Sequence, residues 1–306
     1  MSRRWQEVGA WSNKGGSGKQ TWTGPVGLKY HRLKFVDEAG AMVATDASTV
    51  KSFINGQIRW DLTGPKLDKL NKTRHIPAVA TSHALVLCFE KPFVNDSVTQ
   101  YSTSLNTGVP SKKTGKSIEA FRVEFEMAVA RTLKCLAEVD DATVEGPGVV
   151  VSISTIESDV NVSVNNEYKD FPVYDPNVGD DSPNRYWGAI LIEAMASEVV
   201  RGFRIEKAVN GGKQVIWDQT TKADWDAAST ERGVIVPGTD FLLVLDTDQN
   251  GVSEPIDTKM HVMQGWTLDA NGNMVGGRFK DKALDFKLDV TTGGTVEMTL
   301  VSYGGL

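Results

Sequence analysis

INGQIRWDL, Ile54 to Leu62, comes back later in the chain as VNGGKQVIWDQ, Val209 to Gln219. Each copy holds an Asn-Gly dipeptide, a hairpin signal because both residues tolerate a positive φ. Each then runs on through Gln and an aliphatic residue to Trp-Asp. The match extends both ways. Upstream, KYHRLKFVDE (Lys29 to Glu38) pairs with RYWGAILIEA (Arg185 to Ala194). Downstream, TRHIPAVATSHALVL pairs with ERGVIVPGTDFLLVL, with a short helical signal before each. The spacing stays nearly constant, from Lys29 and Arg185 through Trp60 and Trp217 to Arg74 and Arg232. One Asn-Gly match is generic turn chemistry, but four features recurring in one order indicate a duplicated unit.

Period-two alternation gives the unit its class. In FRVEFEMAV, Phe121, Val123, Phe125, Met127 and Val129 share one side and Arg122, Glu124 and Glu126 the other. LDFKLDV and TVEMTLVSY repeat this around a TTGG turn, and VVVSIS and DVNVSV add more. Such runs are strands with one buried face. Helical signals are short. PKLDKLNK opens on Pro65, TKADWDAA carries a Thr221-x-x-Asp224 cap, and ARTLKCLAEV is expected to add a little helix. The chain is therefore expected to be all-β, in two similar domains of roughly 120–150 residues, the size of an eight-stranded sandwich. NNEYKDFPVYDPNVGDDSPN between them is rich in Asn, Asp and Pro and reads as the connection.

The formal charge of −6 over 306 residues argues against general nucleic-acid binding. No apolar run is long enough to span a membrane. MSRRWQEV lacks the apolar core of a signal peptide, which predicts synthesis in a cytoplasm. Cys88 and Cys135 sit in apolar surroundings and read as reduced core residues. SNKGGSGKQT, Ser12 to Thr21, imitates a phosphate-binding loop, but Gln20 stands where the magnesium-binding hydroxyl belongs and the glycines and proline of TWTGPVGL forbid a helix after it. It reads instead as part of a flexible basic arm holding Arg3, Arg4, Lys14 and Lys19 with Trp5, Trp11 and Trp22.

Catalytic signatures are missing from the sequence. His31, His75, His83 and His261 form no metal-binding spacing, and His75 and His83 read as surface histidines. There is no nucleophile elbow and no singled-out carboxylate pair, so no enzyme is expected and no cofactor is required. One loop admits two readings. DTDQNGVSEPID places Asp246, Asp248 and Asn250 at the first, third and fifth positions of a calcium loop, with Asp257 at the twelfth, where a Glu is usual. The other reading is an acidic hairpin turn around Asn250-Gly251, favoured by Pro255 within the loop and by the lack of flanking helices.

The order KYHRLKFVDE, FINGQIRWDLTGPKLDKLNKTRH, ALVLCFEKP, EAFRVEFEMA and the closing KALDFKLDVTTGGTVEMTLVSYGG resembles the double jelly-roll major capsid proteins of membrane-containing icosahedral bacteriophages of the corticovirus type. The resemblance covers residues 28 to 306 and rests on diffuse structural motifs. It implies two tandem eight-stranded jelly-roll sandwiches with short helices: an arm (1–27), a first jelly roll (28–160), a connecting segment (161–184) and a second jelly roll (185–306). It further implies a homotrimer that imitates a hexagonal tile in a virion shell over an internal membrane. Neighbouring capsomers and vertex and minor capsid proteins would be its partners, and the arm would reach neighbours or lipid headgroups. A two-domain glycan-binding module or phage adhesin is the alternative, and a depolymerase on the same scaffold is a third reading.

Overall fold

Alternation in the first half becomes ten strands. They are β1 (Arg4–Glu7), β2 (Ala10–Ser12), β3 (Gly18–Gly24), β4 (Leu28–Asp37), β5 (Ala47–Ile54), β6 (Gln57–Leu62), β7 (Ala84–Cys88), β8 (Leu105–Asn106), β9 (Phe121–Met127) and β10 (Leu133–Asp141). Helices α1 (Gly64–Lys72) and α2 (Val79–Ser82) lie between β6 and β7. The structure, a computed structural model, describes residues 3–90, 104–111, 115–142 and 150–160. Beyond these it describes 167–169, 186–194, 200–209, 212–217, 222–231, 238, 240–244, 256–257, 263–264, 267–268, 274–275, 278–279, 284–290 and 294–304.

The second half holds β11 (Val150–Val160), β12 (Glu167–Lys169), β13 (Tyr186–Ala194), β14 (Val200–Val209), β15 (Gly212–Trp217), α3 (Lys222–Glu231), β16 (Phe241–Val244) and β17 (Ile256–Asp257). Four two-residue strands follow: β18 (Met263–Gln264), β19 (Thr267–Leu268), β20 (Met274–Val275) and β21 (Arg278–Phe279). The half closes with β22 (Leu284–Val290) and β23 (Gly294–Gly304).

Local chemistry explains the elements. On β9, Phe121, Val123, Phe125 and Met127 are buried while Arg122 and Glu126 are exposed, as the alternation requires. Asn55 (φ 50°) and Gly56 (φ 80°) make the left-handed turn that lets Ile54 pair with Gln57. The Thr63 hydroxyl accepts the Lys66 N–H at 3.4 Å to start α1, and His75 (φ 58°) takes the left-handed position just past its end.

The two halves share one topology. In the first, β1-β10-β4-β7 faces β3-β9-β5-β6; in the second, β11-β23-β13-β16 matches the first of these sheets and β12-β22-β14-β15 the second. The bulges repeat as well. Between β4 and β10 the register steps from Tyr30 opposite Val139 to Arg32 opposite Glu138, leaving His31 over. Between β13 and β23 it steps from Trp187 opposite Ser302 to Ala189 opposite Val301, leaving Gly188 over. Arg59 and Ile216 are the extra residues of the two hairpins, and Ser48 and Arg201 those of β5 and β14. A bulge flips side-chain parity, so Tyr30 and Leu33 can both face the core while His31 and Arg32 point away from it.

Three expectations are corrected. The expected arm, 1–27, is not loose over its described residues 3–27: β1 pairs with β10, and β3 pairs with β9 along its whole length. ARTLKCLAEV is not helix but β10, with Leu133, Cys135, Ala137 and Val139 buried in alternation. The division of the chain moves too. β11 pairs residue for residue with β23, so it belongs to the second unit, as does β12 through β22, and the break falls between β10 and β11.

The first core is aromatic. Phe35 and Phe125 lie 4.7 Å apart, and Trp22 makes edge contacts with Tyr30, Phe35 and Phe121. The Trp22 indole donates to the Val8 carbonyl at 2.9 Å, and the Tyr30 hydroxyl to the Pro25 carbonyl at 2.6 Å. Glycine is required beside this ring. A Cβ on Gly9 (φ +85°) would lie 2.2 Å from Trp22 Nε1. We expect Gly9→Val to destabilise the protein by about 2–4 kcal/mol, combining overpacking and left-handed strain, read as a fall in thermal midpoint.

Candidate functional site

The two sandwiches meet along a built seam. Strand β6 ends the inner sheet of the first half, and β11 runs parallel to it with Ile153 beside Trp60, joining both halves into one ten-stranded sheet. Trp60 is buried, stacks at a tilt on Phe89 at 5.4 Å, and donates its indole N–H to the Val151 carbonyl at 3.0 Å. Ala189, Leu191, Leu242 and Val301 of the second half share one apolar cluster with Trp60, Leu62, Leu67 and Leu70 of the first.

Charges complete the seam. From α1, the Lys66 ammonium lies 2.6 Å from Glu297, and Lys69 bonds both Glu193 and, at 2.8 Å, Asp240. Burial lifts the Glu193 carboxyl, Lys69 pulls it down, and the nearby Asp240 and Glu297 charges lift it again, for a net rise. Burial works against the Lys69 charge, but hydrogen bonds to Asp240 and Glu193 outweigh it and hold the ammonium above its ordinary range.

A second cluster ties down the chain start. Glu90, 1 % exposed, accepts from the Arg32 guanidinium at 2.9 Å and from Arg3, whose other nitrogen reaches Glu138 at 3.2 Å. The bulged His31 sits among them, with Nε2 2.9 Å from Asp140 and Nδ1 3.0 Å from the Ser104 hydroxyl. Burial pushes the Glu90 carboxyl up, but the His31 hydrogen bond and the Arg32 and Arg3 charges win and hold it below the ordinary range.

Other sequence-singled residues fall apart from these. The phosphate-loop imitation is the turn between β2 and β3. Buried Gln20 donates to the Gly16 and Arg131 carbonyls at 3.0 and 2.7 Å, and Lys19, on a strand and not at a helix start, pairs with Glu124 at 2.9 Å. Arg4 pairs with Asp141 and Lys14 with Glu38, so the cations expected to meet lipid are engaged within the chain. Trp22 is buried and Trp11 packs on Phe125; Trp5 is 50 % exposed. His83 is left-handed at the end of α2, its Nδ1 3.1 Å from the Met42 carbonyl. Cys88 and Cys135 are free and buried, and burial pushes the Cys135 thiol up. Asp246, Asp248 and Asn250 of the candidate calcium loop, and His261, lie outside the described residues. Asp257 lies on β17, paired with Tyr186.

Residues 6–140 match the family model of the viral coat protein P2 N-terminal domain. The crystal structure of the major capsid protein P2 from Bacteriophage PM2 is similar over 100% of this chain and 98% of that chain, with TM-score 0.70 and 16% identity. An atomic structure of Sulfolobus Turreted Icosahedral Virus is similar over 99% of this chain and 91% of its own, with TM-score 0.60 and 10% identity. A quasi-atomic model of the PBCV-1 virus capsid follows, over 99% and 94%, with TM-score 0.53 and 8% identity. No curated protein sequence matches. The first sandwich thus matches the viral coat protein P2 N-terminal domain, and the chain folds over its whole length as a double jelly roll, the fold of these capsid structures.

Proposed function

We propose that this chain is the major capsid subunit of a membrane-containing icosahedral virus, residing in the virion shell and working by self-assembly. The observation that carries the reading is the double jelly roll itself: two sandwiches with the same strand order and matched bulges, joined side by side through β6 and β11. A duplicated unit lets three chains imitate sixfold symmetry, which suits a closed tile. The role is structural: the ion pairs of Lys66 and Lys69 hold the two sandwiches together, and those of Arg3 and Arg32 hold β1 to its neighbours. Contacts with an internal membrane and with vertex and minor capsid proteins belong to the same reading. The N-terminal segment offers them no free arm, because its strands are committed to the first sandwich.

Light scattering behind a sizing column tests this, with calcium and with chelator. A stable species near three times 33.3 kDa is expected. Loss of that species on chelation would assign calcium to the loop of Asp246, Asp248, Asn250 and Asp257. A monomer at every concentration and in both media would overturn the reading.

A further inference from the structure

At the seam one amine meets two buried carboxyl groups. Lys69 reaches from α1 of the first sandwich to Asp240, just before β16 of the second, with Nζ 2.8 Å from Oδ2. The same nitrogen bonds Glu193 Oε1 on β13. Ile192 pairs with Phe241, which sets Glu193 beside Asp240. Glu193 is 8 % and Asp240 7 % exposed, and Leu70, Ala189, Leu191 and Leu242 belong to the apolar cluster shared across the seam. Buried polar atoms are ordinarily paired. Glu193 Oε2 nevertheless finds no hydrogen-bond partner among the described residues.

We propose that Lys69 and Asp240 join in an amide bond, formed by the chain on itself with Glu193 as proton relay, which ties the two sandwiches together covalently. The step needs no co-reactant. The Lys69 ammonium first passes a proton to Asp240 along their hydrogen bond, leaving a neutral amine against a neutral carboxyl group. The amine lone pair attacks Cγ, the N–C bond forms, and the carbonyl electron pair moves onto its oxygen. Glu193 then takes a proton from the nitrogen through Oε1 and supplies one to the departing hydroxyl through Oε2. The C–O bond breaks, the carbonyl re-forms and one water leaves. Glu193 ends as it began.

Position is the main driving factor. Groups held in contact react as if present at about 10⁵ M or more, which offsets the preference of free acid and amine to stay apart in water. The Glu193 carboxyl suits a relay, which must both take and give a proton. Burial raises its hold on a proton, and with the Asp240 and Glu297 charges this outweighs the pull of Lys69. Burial opposes the Lys69 charge, but its bonds to Asp240 and Glu193 preserve it. The first proton transfer therefore limits the rate, and the bond forms after the sandwiches have docked. With 35 % of the Lys69 side chain exposed, the released water has an exit.

Intact-mass spectrometry of the denatured full chain tests the bond, and peptide mapping places it. The wild type is expected to weigh less than its sequence by one water, with positions 69 and 240 recovered in one branched peptide. Lys69→Arg keeps the charge pair but has no amine to acylate. It is expected at the full mass of its sequence, with its fold intact by circular dichroism. Glu193→Gln keeps the shape without the relay, and its joining after refolding is expected to slow by about a hundredfold or more. A wild type at full mass after prolonged storage in the folded state would overturn the bond, as would a water loss mapped to other residues or one that persists in Lys69→Arg. Joining at the wild-type rate in Glu193→Gln would overturn the relay. The bond lies within one chain, so each of these outcomes leaves the capsid reading where light scattering puts it.

Discussion

Trp60→Ala is expected to uncouple the two sandwiches and to cost about 3–5 kcal/mol, the range for truncating a buried aromatic ring. The ring does two jobs. It fills the apolar cluster shared by both halves, against Phe89, and its N–H satisfies the Val151 carbonyl on the strand that begins the second unit. A contiguous core through the seam predicts one cooperative melting transition in the wild type. Without the indole, scanning calorimetry should resolve two transitions, because each sandwich keeps its own interior. Trp60→Phe separates the jobs: the aromatic contact stays, the hydrogen bond goes, and the loss should fall to about 1–3 kcal/mol. A single sharp transition in Trp60→Ala would show that the lysine–carboxylate pairs alone hold the halves together.

The repeat and the alternation were legible because they are local. FRVEFEM buries Phe121, Val123, Phe125 and Met127 as written, and Asn55-Gly56 turns where it was read to turn. The misread elements share a physical cause. ARTLKCLAEV is rich in good helix formers, and Leu136 interrupts its alternation on the outer face, so propensity outvoted the pairing with β4 that makes it a strand. The glycines before Leu28 suggested flexibility, but Gly9 and Gly24 are there because the Trp22 ring occupies the space of a Cβ. Flexibility and close packing use the same residue, and only tertiary context tells them apart.

The candidate site was harder to see for a related reason. Arg3, His31, Glu90 and Glu138 are scattered along the chain and form one cluster only because β1, β4 and β10 are neighbours and a bulge turns His31 away from the core. No spacing rule announces such a group. The seam pairs of Lys66 and Lys69 with Glu297, Glu193 and Asp240 join residues from the two halves, so they too exist only once the sandwiches dock.

Glu90→Gln is the second large effect, about 3 kcal/mol at neutral pH, because it withdraws the carboxylate that two guanidinium groups face in a buried setting. The pH dependence separates charge from packing. Glu90 is held below its ordinary range in the folded chain, so its contribution is fully present above the ordinary carboxyl value of about 4.5 and is lost as pH falls through the lower folded value. The gap in melting midpoint between wild type and Glu90→Gln should therefore be constant at neutral pH and narrow in acid. Glu193 has the opposite sign. Its carboxyl is raised in the folded chain, so its contribution is present below the ordinary value and declines as pH rises through the folded one. Acid thus weakens the cluster that anchors β1 while easing the carboxylate crowding at the seam, and melting curves of Glu90→Gln and Glu193→Gln across pH should diverge in direction. A Glu90→Gln gap that stays constant into strong acid would mean that shape and hydrogen bonding, not the carboxylate charge, hold the chain start in place.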